Sequence, residues 1–361
     1  MIPRQASEEF NDTLPRISSG IEAAIEGLRG YGLAPQWGAA IDATLAIHRG
    51  PKHLLRAQIV LLGSLAGGGA AHGEALERFA IGVELLHLFM LVHDDVMDSA
   101  TLRRGQPTLR IALTRADAGI DWQAARDMAI VVGSALSMAA VQRMLPGPSS
   151  GPGALAACER MIESCFHAGA GQFQDLLGLR GLDANEGSLR RALVEKTAYH
   201  SFGAPFAAGL LLADAAADTS KALAWGEHIG VAFQATDDLA DLVTPPSVTG
   251  KDALRDLLLG RPSLPLMLLR ERAAGDDAAF LASIAGKQVI DIGERAALNE
   301  IIERTGVVPA CAERIRSEIG DATSAGDASG FPSKARDAMR VFERSLLAYA
   351  DRIVEAARDA A

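Results

Sequence analysis

Residues 79–98 read FAIGVELLHLFMLVHDDVMD, and residues 231–241 read VAFQATDDLAD. In both, apolar residues recur at three- and four-residue steps, the period of a helix with a buried face. Each run ends in aspartates spaced i, i+1 and i+4: Asp94, Asp95 and Asp98 in the first, Asp237, Asp238 and Asp241 in the second. At about 100° per residue, the outer two aspartates of each set lie one turn apart on one helical face, with the middle one beside them.

The rest of the chain has the same helical character. Stretches 73–98, 123–145, 154–178, 218–242 and 332–358 are rich in Ala, Leu, Met, Glu and Arg, residues that favour helices. Strand-like alternation is nearly absent, aromatics make up 5%, and the short β-branched runs sit in Ala-rich surroundings, so the expected fold class is all-α. Breaks fall at Arg49-Gly50-Pro51, Gly105-Gln106-Pro107, the run Pro146 to Gly153, Thr244-Pro245-Pro246, and Gly330 to Pro332. The run PGPSSGPG at 146–153 reads as a surface loop and is the one place where two domains could divide. The acidic motifs lie on either side of it and make chemical sense only if both face one cavity. The expected organisation is therefore a single domain over residues 1–361, a helical bundle around a central cavity.

The bulk numbers exclude several classes. A net charge of -10 and a pI near 5.3 argue against a nucleic-acid or anionic-membrane surface, since both need clustered Lys and Arg. An anionic substrate would need a local basic patch or metal ions. Cys158, Cys165 and Cys311 fall in no zinc-like or redox spacing, which suits a reducing cytoplasm and buried apolar roles. The N-terminal MIPRQASEEFNDTLPR has Glu8 and Glu9 where a signal peptide carries its apolar run, so the expected location is cytoplasmic. The longest uncharged apolar stretches, Ile59 to Ala71 and Met128 to Val141, are shorter than the roughly 18–20 residues that span a bilayer, and no transmembrane segment is expected.

One acidic motif in a chain of this charge reads as a solvated helix face. Two copies change that reading. Two carboxylates about 6 Å apart repel by roughly 3 kcal/mol at an effective dielectric of 20, and something must offset this. Carboxylate-only ligation selects hard cations, and Mg²⁺ takes one or two carboxylates together with water and substrate phosphates. The pair of motifs therefore suggests magnesium bridging to a diphosphate. Arg103 and Arg104 follow the first motif, ahead of the turn Gly105-Gln106-Pro107. Adjacent arginines are usually a surface pair, but guanidinium forks also suit phosphate oxygens.

Taken together, HDDVMDSATLRRGQPT at 93–108, FQATDDLAD at 233–241 and GKDALRDLLLGRPSLP at 250–265 resemble the trans-isoprenyl diphosphate synthase (polyprenyl synthetase) family, over about residues 50–270. The resemblance implies an isoprenoid-synthase-type bundle and a magnesium-dependent prenyltransferase that condenses isopentenyl diphosphate with an allylic diphosphate. It makes Asp94, Asp98 and Asp237 the direct Mg²⁺ ligands, with Asp95, Asp238 and Asp241 assisting, and implies three Mg²⁺ ions. Arg103 would hold the allylic diphosphate and Arg104 the isopentenyl diphosphate. Lys196, Thr197, Gln234 and Lys251 fall where the family contacts the allylic diphosphate, and Gln172 resembles a position near the substrates. Taken singly, each of these would read as a surface or capping residue.

The family's second diphosphate site joins a Gly-Lys-x-x-Arg motif to a later histidine. This chain has Gly50-Pro51-Lys52-His53-Leu54-Leu55-Arg56, with one extra residue between Lys and Arg and an inserted proline. The spacing predicts Lys52 and Arg56 on one helical face. His87, two turns before Asp94, completes the set; a core histidine paired with Glu84 is the alternative. Arg261 and Ser263 stand where the family often has lysine and threonine, and Ser134 where it often has aspartate.

By the same resemblance, the allylic diphosphate departs with its charge neutralised by magnesium, and the double bond of isopentenyl diphosphate attacks the allylic carbon. No protein nucleophile is required. Chain length would be set by the residues before Asp94. Met90 faces the same way as Asp94, whereas Phe89 points about 140° away on an ideal wheel. Leu86 and Leu85 lie farther down the helix. In the family, an aromatic five residues before the motif with a smaller residue at four resembles enzymes that make C20 products, which favours geranylgeranyl diphosphate. Two other readings are a class I terpene cyclase, disfavoured by the second DDxxD and the arginine pair, and a noncatalytic subunit, favoured only by the altered Gly50–Arg56 spacing. The resemblance also implies a homodimer.

Overall fold

The computed structural model describes residues 10–51, 53–177, 186–244, 254–287 and 289–359. The helices in chain order are α1 (Thr13–Gly27), α2 (Pro35–Arg49), α3 (Leu55–Ala66), α4 (Glu74–Met97), α5 (Leu109–Ala116), α6 (Trp122–Met144), α7 (Ala154–Leu177), α8 (Glu186–Leu193), α9 (Ala204–Ala213) and α10 (Ser220–Val243). After these come α11 (Arg255–Leu259), α12 (Leu264–Arg272), α13 (Asp276–Ile284), α14 (Ile292–Thr305), α15 (Val307–Asp327) and α16 (Ser333–Asp359). Between α8 and α9, residues Val194–Gly203 form a π-helical segment. Pro205, at the start of α9, lacks the N–H that an α-helical turn would require. Such widened turns recur at functional sites. Among the described residues the strands are β1 (Leu102–Arg103) and β2 (Gln106–Pro107), a short antiparallel hairpin. The chain is all-α, as its sequence pattern requires.

Helices α4, α6, α7, α10 and α16 match the five apolar-periodic stretches to within a residue or two, whereas the long helix α15 lies outside them. The π segment and α11 have no counterpart in those stretches. The buried face of α4 packs against α6, while α10 packs against α15, α16 and the π segment. Close approach is enforced by glycine: a Cβ on Gly63 of α3 would lie 2.2 Å from the Phe206 carbonyl, and one on Gly209 of α9 would lie 2.0 Å from that of Val60. The tightest part of the core is aromatic. Phe202, Phe206 and Trp225 are fully buried and stack edge-on or tilted with Phe233, Phe331 and Phe342, while Trp225 Nε1 donates to Glu343 at 2.8 Å. Each such ring contributes roughly 1.5–3 kcal/mol by leaving water. This cluster joins the π segment, α9, α10 and α16, and so fixes the second aspartate motif relative to the rest. Contiguous buried apolar residues run from Phe10 to Val354, drawn from both sides of the 146–153 loop.

Among the described residues, α6 is long and apolar enough to cross a membrane by length and composition, although its uncharged core is shorter than a span. One face of α6 packs on α4, and the other leaves Met128, Val131 and Met138 exposed. Cys158 and Cys311 are buried and Cys165 half-buried, as expected, and burial pushes the Cys311 thiol up to about 12.

Candidate active site

The first aspartate motif sits where α4 runs out. Asp98 caps the helix, its N–H donating to the Asp94 carbonyl at 2.8 Å, and Ser99 adopts φ 54° to end it. The β1–β2 hairpin then folds back through Arg104 (φ 54°) and Gly105 (φ 73°), a left-handed turn that glycine tolerates best. The hairpin returns Arg103 to the aspartates. Its Nε donates to Asp95 Oδ1 at 2.8 Å and its Nη2 to Asp94 Oδ2 at 3.2 Å. Burial raises the Asp95 pKa, with Arg103 opposing.

The second motif lies at the C-terminal end of α10, and α11 ties it to the first. Leu254 N–H donates to the Asp241 carbonyl at 3.2 Å, and Asp256 N–H to Asp241 Oδ2 at 3.3 Å. From the same segment Arg261 forks onto the Asp98 carboxylate, Nη1 to Oδ2 at 2.8 Å and Nη2 to Oδ1, while Arg255 Nη2 donates to the Asp98 carbonyl at 2.6 Å. A chain of hydrogen bonds therefore runs from Asp241 through α11 to Asp98, and the two motifs face one site. Burial works to raise the Asp98 pKa, but the Arg261 fork, helped by Arg255 and Lys196, holds it below the usual range.

Lys196 and Thr197 reach this site from the π segment. Lys196 Nζ donates to Asp175 Oδ2 at 2.5 Å, and Arg261 Nε lies 3.4 Å from the same oxygen. Thr197 Oγ1 donates to Gln234 Oε1 at 2.9 Å, and Gln234 Nε2 to Asp238 Oδ1 at 2.7 Å. Gln172 Nε2 is buried with no partner. Lys251 lies outside the described residues. Asp175 and Asp256 belong to the cluster although sequence reasoning did not single them out. Asp175 follows Gln172 by three residues, a spacing that puts both near one face of α7.

The carboxylates outnumber the cations here. Burial first, then repulsion from Asp256, Asp237 and Asp241, pushes the Asp238 pKa well above its ordinary value against the Gln234 hydrogen bond. Burial, with Asp241 and Asp175, lifts Asp256 to about 7 in spite of Lys196 and Arg261. Crowded oxygen donors short of positive charge are a donor set that fits hard divalent cations.

A second, basic cluster lies around Arg104. Gly50 lets the α2–α3 connection press against it: a Cβ there would lie 2.9 Å from the Arg104 carbonyl. Arg56 Nη2 donates to Ser201 Oγ at 2.6 Å, and Arg56 Nε is buried with no partner. Burial draws the Arg56 pKa down to about 10, Glu84 opposing and Arg104 adding to the fall. Burial and then Arg56 and Arg104 push His87 well below its ordinary value. Glu84 accepts from Ala57 N–H at 2.9 Å. His200, also missed by sequence reasoning, is fully enclosed, with its pKa brought down to about 3 by burial and by Arg56. Arg56, His87, Arg104 and His200 lie close enough to act on one another, a set of donors that suits an anion. The expected shared helical face of Lys52 and Arg56 falls on a residue outside the described ones. Helix α3 begins at Leu55 after Leu54 in a left-handed conformation, and Lys52 is not among the described residues.

Lower on α4, the Phe89 ring meets His93 edge-on at 5.0 Å. His93 Nε2 lies 3.1 Å from the Ile130 carbonyl of α6. Phe89 thus stacks on a histidine that is itself held against α6. Met90 is half-buried, and Leu85 and Leu86 are core. Ser134 is exposed and donates to its own helix at the Ile130 carbonyl, 2.9 Å away.

Close packing of α7 on the π segment places Lys196. A Cβ on Gly171 would lie 2.7 Å from both the Lys196 nitrogen and Cα, so Gly171→Ala must displace that backbone. The expected result is a roughly tenfold or greater loss of kcat with a destabilisation of about 1–3 kcal/mol; steady-state kinetics and thermal unfolding check it, and wild-type values for both would contradict it.

The sequence model of the polyprenyl synthetase family matches residues 43–302. The chain is 32% identical to the geranylgeranyl diphosphate synthase of Mycobacterium tuberculosis over 87% of its own length and 86% of the relative's. It is 28% identical to heptaprenyl diphosphate synthase component 2 of Geobacillus stearothermophilus over 83% of its length and 84% of the relative's. In fold it is similar to geranylgeranyl pyrophosphate synthase from Corynebacterium glutamicum, solved with isoprenyl diphosphate and magnesium, at TM-score 0.82 and 22% identity over 97% of this chain and 99% of that one. The aspartate motifs that face each other across α11, and the family match that spans both, place the chain in the polyprenyl synthetase family, and it is a prenyltransferase of that family.

Proposed function

We propose that this chain condenses isopentenyl diphosphate with an allylic diphosphate, head to tail, in a single catalytic domain spanning residues 1–361. The observation that carries the reading is the pairing of two unlike sites: a carboxylate-rich cluster of both aspartate motifs beside a carboxylate-poor set of Arg56, Arg104, His87 and His200. The first accommodates a metal-bound diphosphate and the second a bare one, so the protein is equipped for two diphosphate substrates, one more than a cyclase needs. Asp94, Asp98 and Asp237 would hold magnesium, three ions by analogy with the family, with Asp95, Asp238 and Asp241 supporting them. Magnesium there supplies neutralising charge to the departing diphosphate. Arg103, Lys196 and Arg261 orient that group, Thr197 and Gln234 line its approach with Lys251 and Gln172 nearby, and Lys52, Arg56, His87 and Arg104 hold the isopentenyl diphosphate.

The product we favour is geranylgeranyl diphosphate. Phe89, edge-on to His93 one turn below the first motif, supports a short-chain stop, and the relatives include a geranylgeranyl diphosphate synthase. The homodimer we propose would pair the exposed apolar stripes of α6 and α7, where Val131, Met138, Phe166 and Phe173 lie open; a cytoplasmic location fits a reaction between two polar substrates. Incubating the purified chain with magnesium and dimethylallyl, geranyl or farnesyl diphosphate, with and without isopentenyl diphosphate, tests the reading. Consumption of the allylic substrate should require isopentenyl diphosphate and yield a C20 product; consumption without it would point to a cyclase.

A further inference from the structure

Helix α11 carries a cation that belongs to neither aspartate motif nor to the arginine pair. Arg255 reaches from it to the end of α4, where its Nη2 donates to the Asp98 main-chain carbonyl at 2.6 Å and lies 3.7 Å from the carboxylate Oδ2. Its side chain retains 20% exposure, and its charge acts on Asp95 as well as on Asp98. On the other side its neighbours Leu254 and Asp256 are bonded to Asp241. Arg255 thus stands on the bridge between the last aspartates of the two motifs.

We propose that Arg255 is a positioning residue for the diphosphate, a permanent positive charge built into the cation cluster between the motifs. The contrast with Arg261 supports this. Arg261 forks onto the Asp98 carboxylate itself, so a metal ion claiming that carboxylate competes with it. Arg255 is anchored on a main-chain oxygen, which such a metal leaves alone. Its charge stays in place when the carboxylate turns to a cation, and it keeps the end of α4 linked to α11 while the cluster fills. A fixed charge already desolvated by its surroundings requires little reorganisation when an anion arrives.

The inference rests on the reading that the two motifs bind a metal-bound diphosphate, and the test separates the two. Inorganic pyrophosphate is titrated calorimetrically, in the presence of Mg²⁺, into wild type, Arg255→Gln, Arg255→Lys and Asp94→Ala, and each protein is melted without ligand. Glutamine keeps a donor for the Asp98 carbonyl but loses the charge; lysine keeps the charge. Arg255→Gln is expected to weaken pyrophosphate binding about tenfold and to raise the Mg²⁺ needed for half-maximal binding, at an unchanged ligand-free melting temperature. Arg255→Lys should stay within about threefold of wild type. Binding by Arg255→Gln equal to wild type overturns the proposal, and so does an Arg255→Lys defect as large as that of Arg255→Gln, or a fall in melting temperature that accounts for the lost binding. Wild type that binds no magnesium pyrophosphate overturns the metal reading along with it, whereas binding that Asp94→Ala abolishes and Arg255→Gln retains overturns this inference alone.

Discussion

Replacing Asp94 with alanine is expected to lower kcat/KM by about 10³-fold or more while leaving the melting temperature within about 2 °C of wild type. The two effects separate because of how the three aspartates are held. Asp95 and Asp98 have side chains only 5% and 6% exposed, and each is paired with a guanidinium. Removing either would strand a buried arginine, a change that costs about 3–5 kcal/mol and confuses lost chemistry with lost structure. Asp94 is 28% exposed and receives only the longer of the Arg103 contacts, at 3.2 Å. With Asp94 gone, Arg103 keeps Asp95, so the fold loses little, whereas the cation site loses an accessible carboxylate. Steady-state kinetics over a magnesium titration, together with thermal unfolding, checks this. Near-normal turnover at any magnesium concentration would defeat the assignment of Asp94 as a ligand.

Much of this site is legible in the sequence because local spacing alone determines it. The i, i+1, i+4 aspartates share a face wherever a helix forms, and the arginine pair stays close to the first motif because only a tight hairpin separates them. Residues assembled by tertiary packing are a different matter. Asp175 and Asp256 join the cluster through Lys196, Arg261 and Asp241, partners that belong to other elements of the fold. His200 is the same case: four residues beyond Lys196, it reads as one more helical residue, and only the widened π turn and the packing against Ser164, 3.0 Å from its Nδ1, bring it beside Arg56. The altered Gly50–Arg56 motif shows how much such a reading depends on where the helix starts. An i, i+4 spacing implies a common face only where the helix has already begun, and Leu54 in a left-handed conformation delays that start to Leu55. The fold class was legible throughout, because the 3.6-residue period persists over helices long enough to outweigh local exceptions.

Phe89→Ala is expected to shift the products toward chains at least one C5 unit longer. Phe89 lies five residues before Asp94, about 7.5 Å along the axis of α4 at a rise of 1.5 Å per residue. A chain growing down from the diphosphate passes this level early. The ring is braced on the side of α6 because His93 fills the space left by Gly133, where a Cβ would lie 2.4 Å from the imidazole. His93 cannot easily follow a truncated neighbour, since its Nε2 is bonded to the Ile130 carbonyl. The volume vacated by the ring should therefore stay open to substrate rather than collapse, and because Phe89 is only half-buried the stability cost should fall below the roughly 3–5 kcal/mol of a fully buried Phe→Ala change. Met90→Ala, on the Asp94 side of the helix and with a slimmer side chain to remove, should move the distribution less, and Phe89→Trp should shorten it. Chromatographic sizing of the dephosphorylated products with farnesyl diphosphate as primer reads all three. An unchanged distribution from a folded and active Phe89→Ala enzyme would place the stop elsewhere, with Leu86 and Leu85, deeper on the same helix and within the core, as the next positions to vary.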